Sequence, residues 1–279
     1  MHDHLEGPTE SCTAPHFQGI TAVMKPRDRD DRKPEKVYIY GKHALMEALA
    51  DAPRVIKKAF LAPGTDSALI DKLTANGIVI AELKAQEAQS LAGRDAVHQG
   101  VIAVMDPEAL MIPFEKFVAG LDLSKNPGLV ILGEVQDPHN VGAIIRSAAA
   151  FGFAGVLIPE HHQAQVTGTV VKTSAGMAFR IPLVRIGNVN DTLRKLKEKG
   201  FWTYGLAMDG AKTLADEEFD TPIAFVVGNE GAGVREKTLE TCDITLSIPM
   251  HPRTESLNAA VSAAIVCYAW ALKHPQSLS

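Results

Sequence analysis

The chain has 279 residues, 46% of them hydrophobic and 22% charged, with a formal net charge of −5. That length supports two domains of ordinary size, and no apolar run approaches the roughly 20 residues of a membrane span. Three scattered cysteines (Cys12, Cys242 and Cys267) make neither a disulfide framework nor a zinc pattern, and the start lacks the basic and apolar regions of a secretory signal. The chain therefore reads as cytosolic and free of structural metal. Its charge balance argues mildly against a protein coated for nonspecific nucleic-acid binding and leaves room for local basic patches.

Residues 1–36 are polar, carry prolines and mixed charges, and show no apolar period. They read as a disordered extension, in which Lys25, Arg27, Arg29, Arg32 and Lys33 alternate with Asp28, Asp30 and Asp31. From Val37 the pattern changes to short β-rich runs alternating with helical stretches. It predicts a strand over 55–61, a helix over 67–73, a turn at Asn76 and Gly77, and strands over 78–81 and 100–105. The alternation predicts a small α/β unit over 37–106, on which Arg54, Lys57 and Lys58 form a second basic cluster. Residues 107–127 read as a connector, partly helical around 114–118. The second domain, 128–279, carries strand patterns at 129–132, 155–158, 181–186, 202–208, 223–227 and 244–248. A helix over 189–199 turns Leu193 and Leu196 inward among lysines. The expected architecture is α/β: a mostly parallel sheet with helices on both faces.

Three stretches of the second domain carry chemistry, each where a strand hands over to a loop or helix. In the first, Asp137-Pro138-His139-Asn140 signals a turn, with Asn140 as the helix N-cap. Val141, Ile144, Ile145, Ala148 and Ala149 then recur at helical spacing. Gly142 and Arg146, four apart, share another face, where the glycine leaves room for a ligand and the guanidinium points into it. The same residues also suit a plain cap and a surface ion pair. In the second stretch, the strand at 223–227 runs into Gly228-Asn229-Glu230-Gly231-Ala232-Gly233. Its glycines let a ligand approach the main chain, yet the spacing is neither a dinucleotide fingerprint nor a phosphate loop. Glu230 repels phosphate but suits a cationic group such as a sulfonium; it equally suits capping the next helix. In the third, the strand at 244–248 ends in Ile248-Pro249-Met250. After a polar loop, a helix of small residues runs over 256–270, with Ser256 and Asn258 at its N-terminus, where free backbone donors can hold a polar ligand.

Together these stretches resemble the three motifs of the SpoU (TrmH) class of the SPOUT superfamily of RNA methyltransferases, over residues 128–273. Tyr40-Gly41-Lys42-His43 and residues 97–103 resemble the substrate-binding domain that precedes the catalytic domain in rRNA guanosine-2′-O-methyltransferases of the RlmB type. The resemblance implies a catalytic domain tied in a trefoil knot, and a homodimer with its active site near the subunit interface. It implies methyl transfer from S-adenosylmethionine to a ribose 2′-hydroxyl, most like that of a guanosine in 23S rRNA. Cofactor contacts fall on Gly228, Ile248 and Leu257, chiefly through their backbones. Catalytic and substrate-handling roles fall on Arg146, Asn140, Glu230, Ser256 and Asn258. The family's base is Arg146; because a free guanidinium has a pKa of about 12.5 or above, stabilisation of charge on the oxygen stands beside proton abstraction as its role. Two departures are present: Pro252 where relatives commonly have glycine, and Ala259-Ala260 where they often have Val-Ser. The other readings are a tRNA ribose methyltransferase, a non-catalytic RNA-binding protein of the same fold, and a nucleotide-binding oxidoreductase. The intact Asn140, Arg146 and Glu230 speak against the second. The third requires a glycine fingerprint early in its domain, and here the glycines come late.

Overall fold

Short apolar runs bounded by glycine, proline or asparagine become strands, and most of the longer helices begin at an Asp or Asn. The computed structural model describes residues 37–92 and 98–278; the expected extension, with its basic residues, and Val97 lie outside the described residues. The first sheet contains β1 (Val37–Tyr40), β2 (Ile56–Leu61), β3 (Val79–Glu82) and β4 (Val101–Met105), in the order β1-β4-β2-β3. With them run α1 (Lys42–Asp51), α2 (Ser67–Ala75) and α3 (Ala85–Ala92). The Asp66 side chain accepts from Ala68 N and starts α2. Of the basic cluster expected here, Lys57 pairs with Asp106 at 3.2 Å and Lys58 lies 4.7 Å from the Phe60 ring centroid.

The chain continues through β5 (Met111–Pro113), α4 (Phe114–Ala119), β6 (Gly128–Gly133), α5 (Pro138–Ala150), β7 (Gly155–Pro159) and α6 (Gly168–Thr173). It ends with β8 (Leu183–Ile186), α7 (Val189–Glu198), β9 (Trp202–Leu206), β10 (Lys212–Thr213), β11 (Ile223–Gly228), α8 (Glu236–Thr241), β12 (Ile244–Ser247) and α9 (Ala259–Lys273). These strands form one sheet in the order β10-β12-β9-β11-β6-β7-β8-β5, in which every pairing is parallel. The stretch expected as a connector is knit into it, because β5 pairs with β8.

Both faces of this sheet are covered, as an all-parallel sheet requires, and side chains alternate along each strand. Leu129 and Ile131 of β6, with Ala224 and Val226 of β11, join the core that holds Phe117 of α4 and the inward-facing Leu193 and Leu196 of α7. Val130 and Leu132, with Phe225 and Val227, face Ile144 and Ile145 of α5 and Val266 and Trp270 of α9. That second core runs on into the small domain through Ile39 of β1 and Leu45 of α1.

The two sheets meet along α6 and the turn after it. A Cβ on Gly168 would collide with the Tyr38 backbone, and one on Gly176 with the Glu47 carboxylate. Beside this close contact, Arg180 Nε donates to Asp51 Oδ2 at 2.7 Å and its guanidinium lies 3.7 Å from Glu47. Among the described residues no helix is long and apolar enough to cross a membrane.

Candidate active site

β6 leads by α5 to β7 on one side of the sheet, and β11 leads by α8 to β12 on the other. Their outgoing loops diverge, opening a crevice at the strands' carboxyl ends, where such sheets bind ligands. Two loops shape that crevice. The first, after β6, has Glu134 at φ 67°, and it is held by a residue that sequence reasoning did not single out. The buried Gln163 accepts from Val135 N at 2.9 Å and donates to Val135 O at 2.7 Å. Gln163→Ala would leave both groups unpaired in the interior, at a cost of about 1–3 kcal/mol. Denaturant unfolding should register that loss, and an unchanged midpoint would show that the loop stands without the clamp.

The second loop follows β11 and closes on itself. Asn229 and Gly233 exchange backbone hydrogen bonds of 2.9 Å each. Asn229 Oδ1 accepts from Gly231 N and Ala232 N, while its Nδ2 donates to Glu134 O at 3.0 Å, tying the loops together. Asn229 was likewise not foreseen; its place before Gly231 is the available signal, since asparagine builds turns through its own side chain.

The start of α5 corrects one expectation. Asp137, not Asn140, is the N-cap, accepting from His139 N at 2.8 Å, with Pro138 at the first helical position. Asn140 thus lies inside the first turn, buried, with its amide free to point elsewhere. Gly142 also differs: it faces α6, where a Cβ would press on Thr173 and the Val170 carbonyl, so it serves helix packing rather than a ligand.

The three stretches, far apart in sequence, are joined by one chain of side-chain hydrogen bonds. Asn258 caps α9, its Oδ1 accepting from Ala260 N at 2.8 Å and Val261 N at 3.2 Å. Its Nδ2 donates to Asn140 Oδ1 at 2.9 Å, and Asn140 Nδ2 donates to Glu230 Oε1 at 3.0 Å. Backbone donors fix the polarity at one end and an acceptor-only carboxylate at the other, so both amide orientations follow from chemistry.

Glu230 also accepts from Gln136 N at 3.2 Å and Asp137 N at 3.1 Å, just ahead of α5. Burial opposes its charge, yet hydrogen bonds from Asn140 and from the backbone of Glu230, Asp137 and Gln136 outweigh that and hold the carboxyl below its usual value. A lowered folded value means that the contribution is complete above the unfolded carboxylate value and is lost as pH falls through the folded one, that is, below about pH 4.5. Glu230→Gln would set an amide donor against donors. Because Glu230 is exposed, water can replace the lost acceptor and the stability cost stays under about 1 kcal/mol. The relay is disrupted all the same, and catalysis should fall at every pH; wild-type activity in the variant would show that the relay is dispensable.

Beside the relay lies a cavity of about 350 Å³, lined by the ends of β9, β11 and β12 and the approach to α9. Gly228, Glu230, Ile248, Ser256 and Leu257 all line it. Asn140 and Asn258 are not on its wall but reach Glu230 through hydrogen bonds. The apolar wall of Leu246, Ile248 and Leu257, the glycine-rich main chain and one carboxylate suit a ligand with an aromatic ring and a cationic group. Arg146 is not brought to this cavity within one chain. It is exposed on α5, makes no hydrogen bond or ion pair among the described residues, and lies six positions, about 9 Å of helix rise, past Asn140.

Pro252 sits outside the cavity in an exposed turn closed by Thr254 N donating to His251 O at 2.9 Å, the second turn position that favours proline. Ala259 and Ala260 are buried at the start of α9, where the backbone of Ala260 does the binding. Ser256 precedes the helix rather than opening it. Cys242 and Cys267 both have thiol pKa values pushed up by burial, Cys242 to about 12, so neither offers a thiolate.

Comparison with known proteins bears on this geometry. The model of the SpoU rRNA Methylase family matches residues 127–268, and that for RNA 2′-O ribose methyltransferase substrate binding matches residues 38–111. The 23S rRNA (guanosine-2′-O-)-methyltransferase RlmB of Escherichia coli (strain K12) is 36% identical over 236 residues, spanning 82% of this chain and 96% of its own. An uncharacterized tRNA/rRNA methyltransferase of Synechocystis is 33% identical over 259 residues, 91% of this chain and 67% of its own. The crystal structure of an AdoMet-bound rRNA methyltransferase from Sinorhizobium meliloti superposes with a TM-score of 0.73 at 23% identity, covering 86% of this chain and 87% of that one, a likeness of fold.

Proposed function

The chain belongs to the SpoU rRNA methylase family, and from that membership and the site's geometry we propose that it methylates the ribose 2′-hydroxyl of a guanosine in 23S ribosomal RNA, in the cytoplasm. It is an RNA methyltransferase whose methyl donor is S-adenosylmethionine. The observation that carries the site assignment is the Asn258–Asn140–Glu230 relay set against the cavity, since it draws all three stretches to one place; the 23S guanosine is supported by the 36% identity to RlmB of Escherichia coli.

S-adenosylmethionine, when bound, supplies a methyl group activated by a cationic sulfur. The residues fit it: Gly228, Ile248 and Leu257 line the cavity, and its apolar side chains suit the adenine ring. Glu230, kept ionised, favours a cation over a phosphate. Asn140 and Asn258 fix the position of Glu230, and Ser256 offers a hydroxyl at the mouth. Arg146, with its planar fork of donors, holds the RNA phosphate and stabilises charge developing on the 2′-oxygen. Aligning the reactants supplies a large share of the rate, about 7–11 kcal/mol in favourable cases.

The domain at 37–106 grips RNA away from the reacting nucleotide, 107–127 joins it to the large sheet, and 128–279 performs the transfer. A trefoil knot belongs to the same reading: β12 lies beyond β9 from β11, yet α9 returns to pack on β11 and α5. So does a homodimer. Val261, Tyr268 and Leu272 are 46%, 53% and 62% exposed and share one face of α9, beside α5. A second copy covering that face would bury them and bring Arg146 near an active site; Tyr268→Glu should yield a monomer by light scattering, and an unchanged oligomer would move the interface elsewhere. The central experiment maps ribose methylation across rRNA and tRNA in cells with and without the gene. Loss of one 23S guanosine mark is expected. Loss confined to tRNA would transfer the substrate there, and no transfer to any RNA by the purified protein would overturn the reading.

A further inference from the structure

A second cleft, of about 430 Å³, opens where the small sheet meets α6, away from the cofactor cavity. Both segments of the small domain singled out in the sequence converge on it: Tyr40 and His43 from the first, Gln99 from the second. Lys172 of α6 faces them from the large domain. Among the described residues, none of these four side chains makes a hydrogen bond or ion pair. At the same cleft one oxygen of Glu47, Oε2, is buried with no hydrogen-bond partner. The turn that presents Gln99 holds it at φ 49°, with Gly100 at φ 74°, a conformation non-glycine residues rarely adopt. His43, Gln99 and Lys172 are exposed and Tyr40 half-buried, so their polar ends are free to meet a ligand, while the buried Glu47 oxygen is a polar group that calls for a partner.

The position of the cleft says which ligand. Thr173, next to Lys172, has its Oγ1 3.3 Å from Nδ1 of His139, and His139 precedes the relay residue Asn140 on α5. The helix that carries Lys172 thus touches the helix that carries Asn140. Its chemistry is divided: Lys172 offers a cation, Tyr40 and His43 offer rings, and Glu47 and Gln99 offer groups for a base edge. Phosphate, stacked base and donor-bearing edge are the three parts of a nucleotide.

We propose that this cleft between the two sheets holds one nucleotide of the RNA strand near the methylated one, its phosphate on Lys172, its base beside Tyr40 and His43, and its donor edge toward Glu47. The proposal rests on the RNA-methylating reading of the active site. Guanine, with adjacent imino and amino donors, suits the carboxylate best. The experiment measures binding of the wild-type substrate RNA fragment to the full chain across a salt series, beside methyl transfer to the same fragment. Lys172→Gln should weaken binding roughly tenfold and reduce the slope of log affinity against log salt by about 0.7–0.9, the loss of one phosphate contact. His43→Ala should weaken binding roughly tenfold with the slope unchanged, as expected for lost stacking. Lys116→Gln, an exposed lysine of α4 outside the cleft, serves as control and should change neither. An unaltered slope in Lys172→Gln, or an equal change in the control, overturns the proposal. Micromolar binding of guanosine monophosphate alone would also overturn it, reassigning the cleft to a free nucleotide. Altered slopes with no methyl transfer by the wild-type chain would keep the cleft and sink the enzymatic reading instead.

Discussion

Arg146→Ala is expected to lower methyl transfer by at least about 10²–10³-fold, the scale for removing one charge-stabilising donor, with S-adenosylmethionine binding unchanged. The separation follows from placement. Arg146 is exposed on α5 and lines no part of the cavity, so the donor does not depend on it. It also has no partner among the described residues, so its removal strands no buried charge and leaves stability intact. Arg146→Lys keeps the cation and loses the planar fork, and should fall between the two. Single-turnover transfer of labelled methyl, with calorimetric binding of the donor, measures both quantities. Near-normal turnover in Arg146→Ala would refute the assignment.

Gly228→Ala should do the reverse and abolish donor binding. The missing side chain of Gly228 is filled by the loop itself: a Cβ there would fall into the backbone of Gly233 and Val234. Neither neighbour is the flexible end of a side chain, so the loop must move. Its mutual hydrogen bonds between Asn229 and Gly233 would break with it. Overpacking of this kind costs about 1–3 kcal/mol, and the displaced segment carries Glu230, one end of the relay. Calorimetry with S-adenosylmethionine is the direct check, with a wild-type circular dichroism spectrum as evidence of folding. Undiminished donor affinity in Gly228→Ala would mean that the cavity does not depend on this loop.

The long, buried elements were legible because their patterns were strong. β6 and β11 are apolar throughout and end in glycine, and α7 shows its inward leucines among lysines. Short elements were not legible. β5 and β10 have three and two residues, and α6 reads Gly-Thr-Val-Val-Lys-Thr, a β-branched run that tertiary packing turns helical. At the site, sequence alone supplied the residue types but not who bonds to whom. Asn140 carried every mark of a cap, yet the Asp137-Pro138 pair starts the helix earlier and frees it for Glu230 and Asn258. Gln163 and Asn229 gave no comparable signal, because their partners are backbone groups of Val135 and Glu134 that only the fold brings near. The cleft at Lys172 was hidden for the same reason, since it exists only where the two sheets touch.

The relay also sets the order in which a nascent polypeptide becomes competent. Asn140 waits for a partner 90 residues downstream and for another 118 residues downstream. A chain that ends before residue 258 leaves Asn140 with one of its two side-chain partners and the cavity without Ala259 and Ser262. Under the proposed function, such truncated copies are expected to transfer no methyl group.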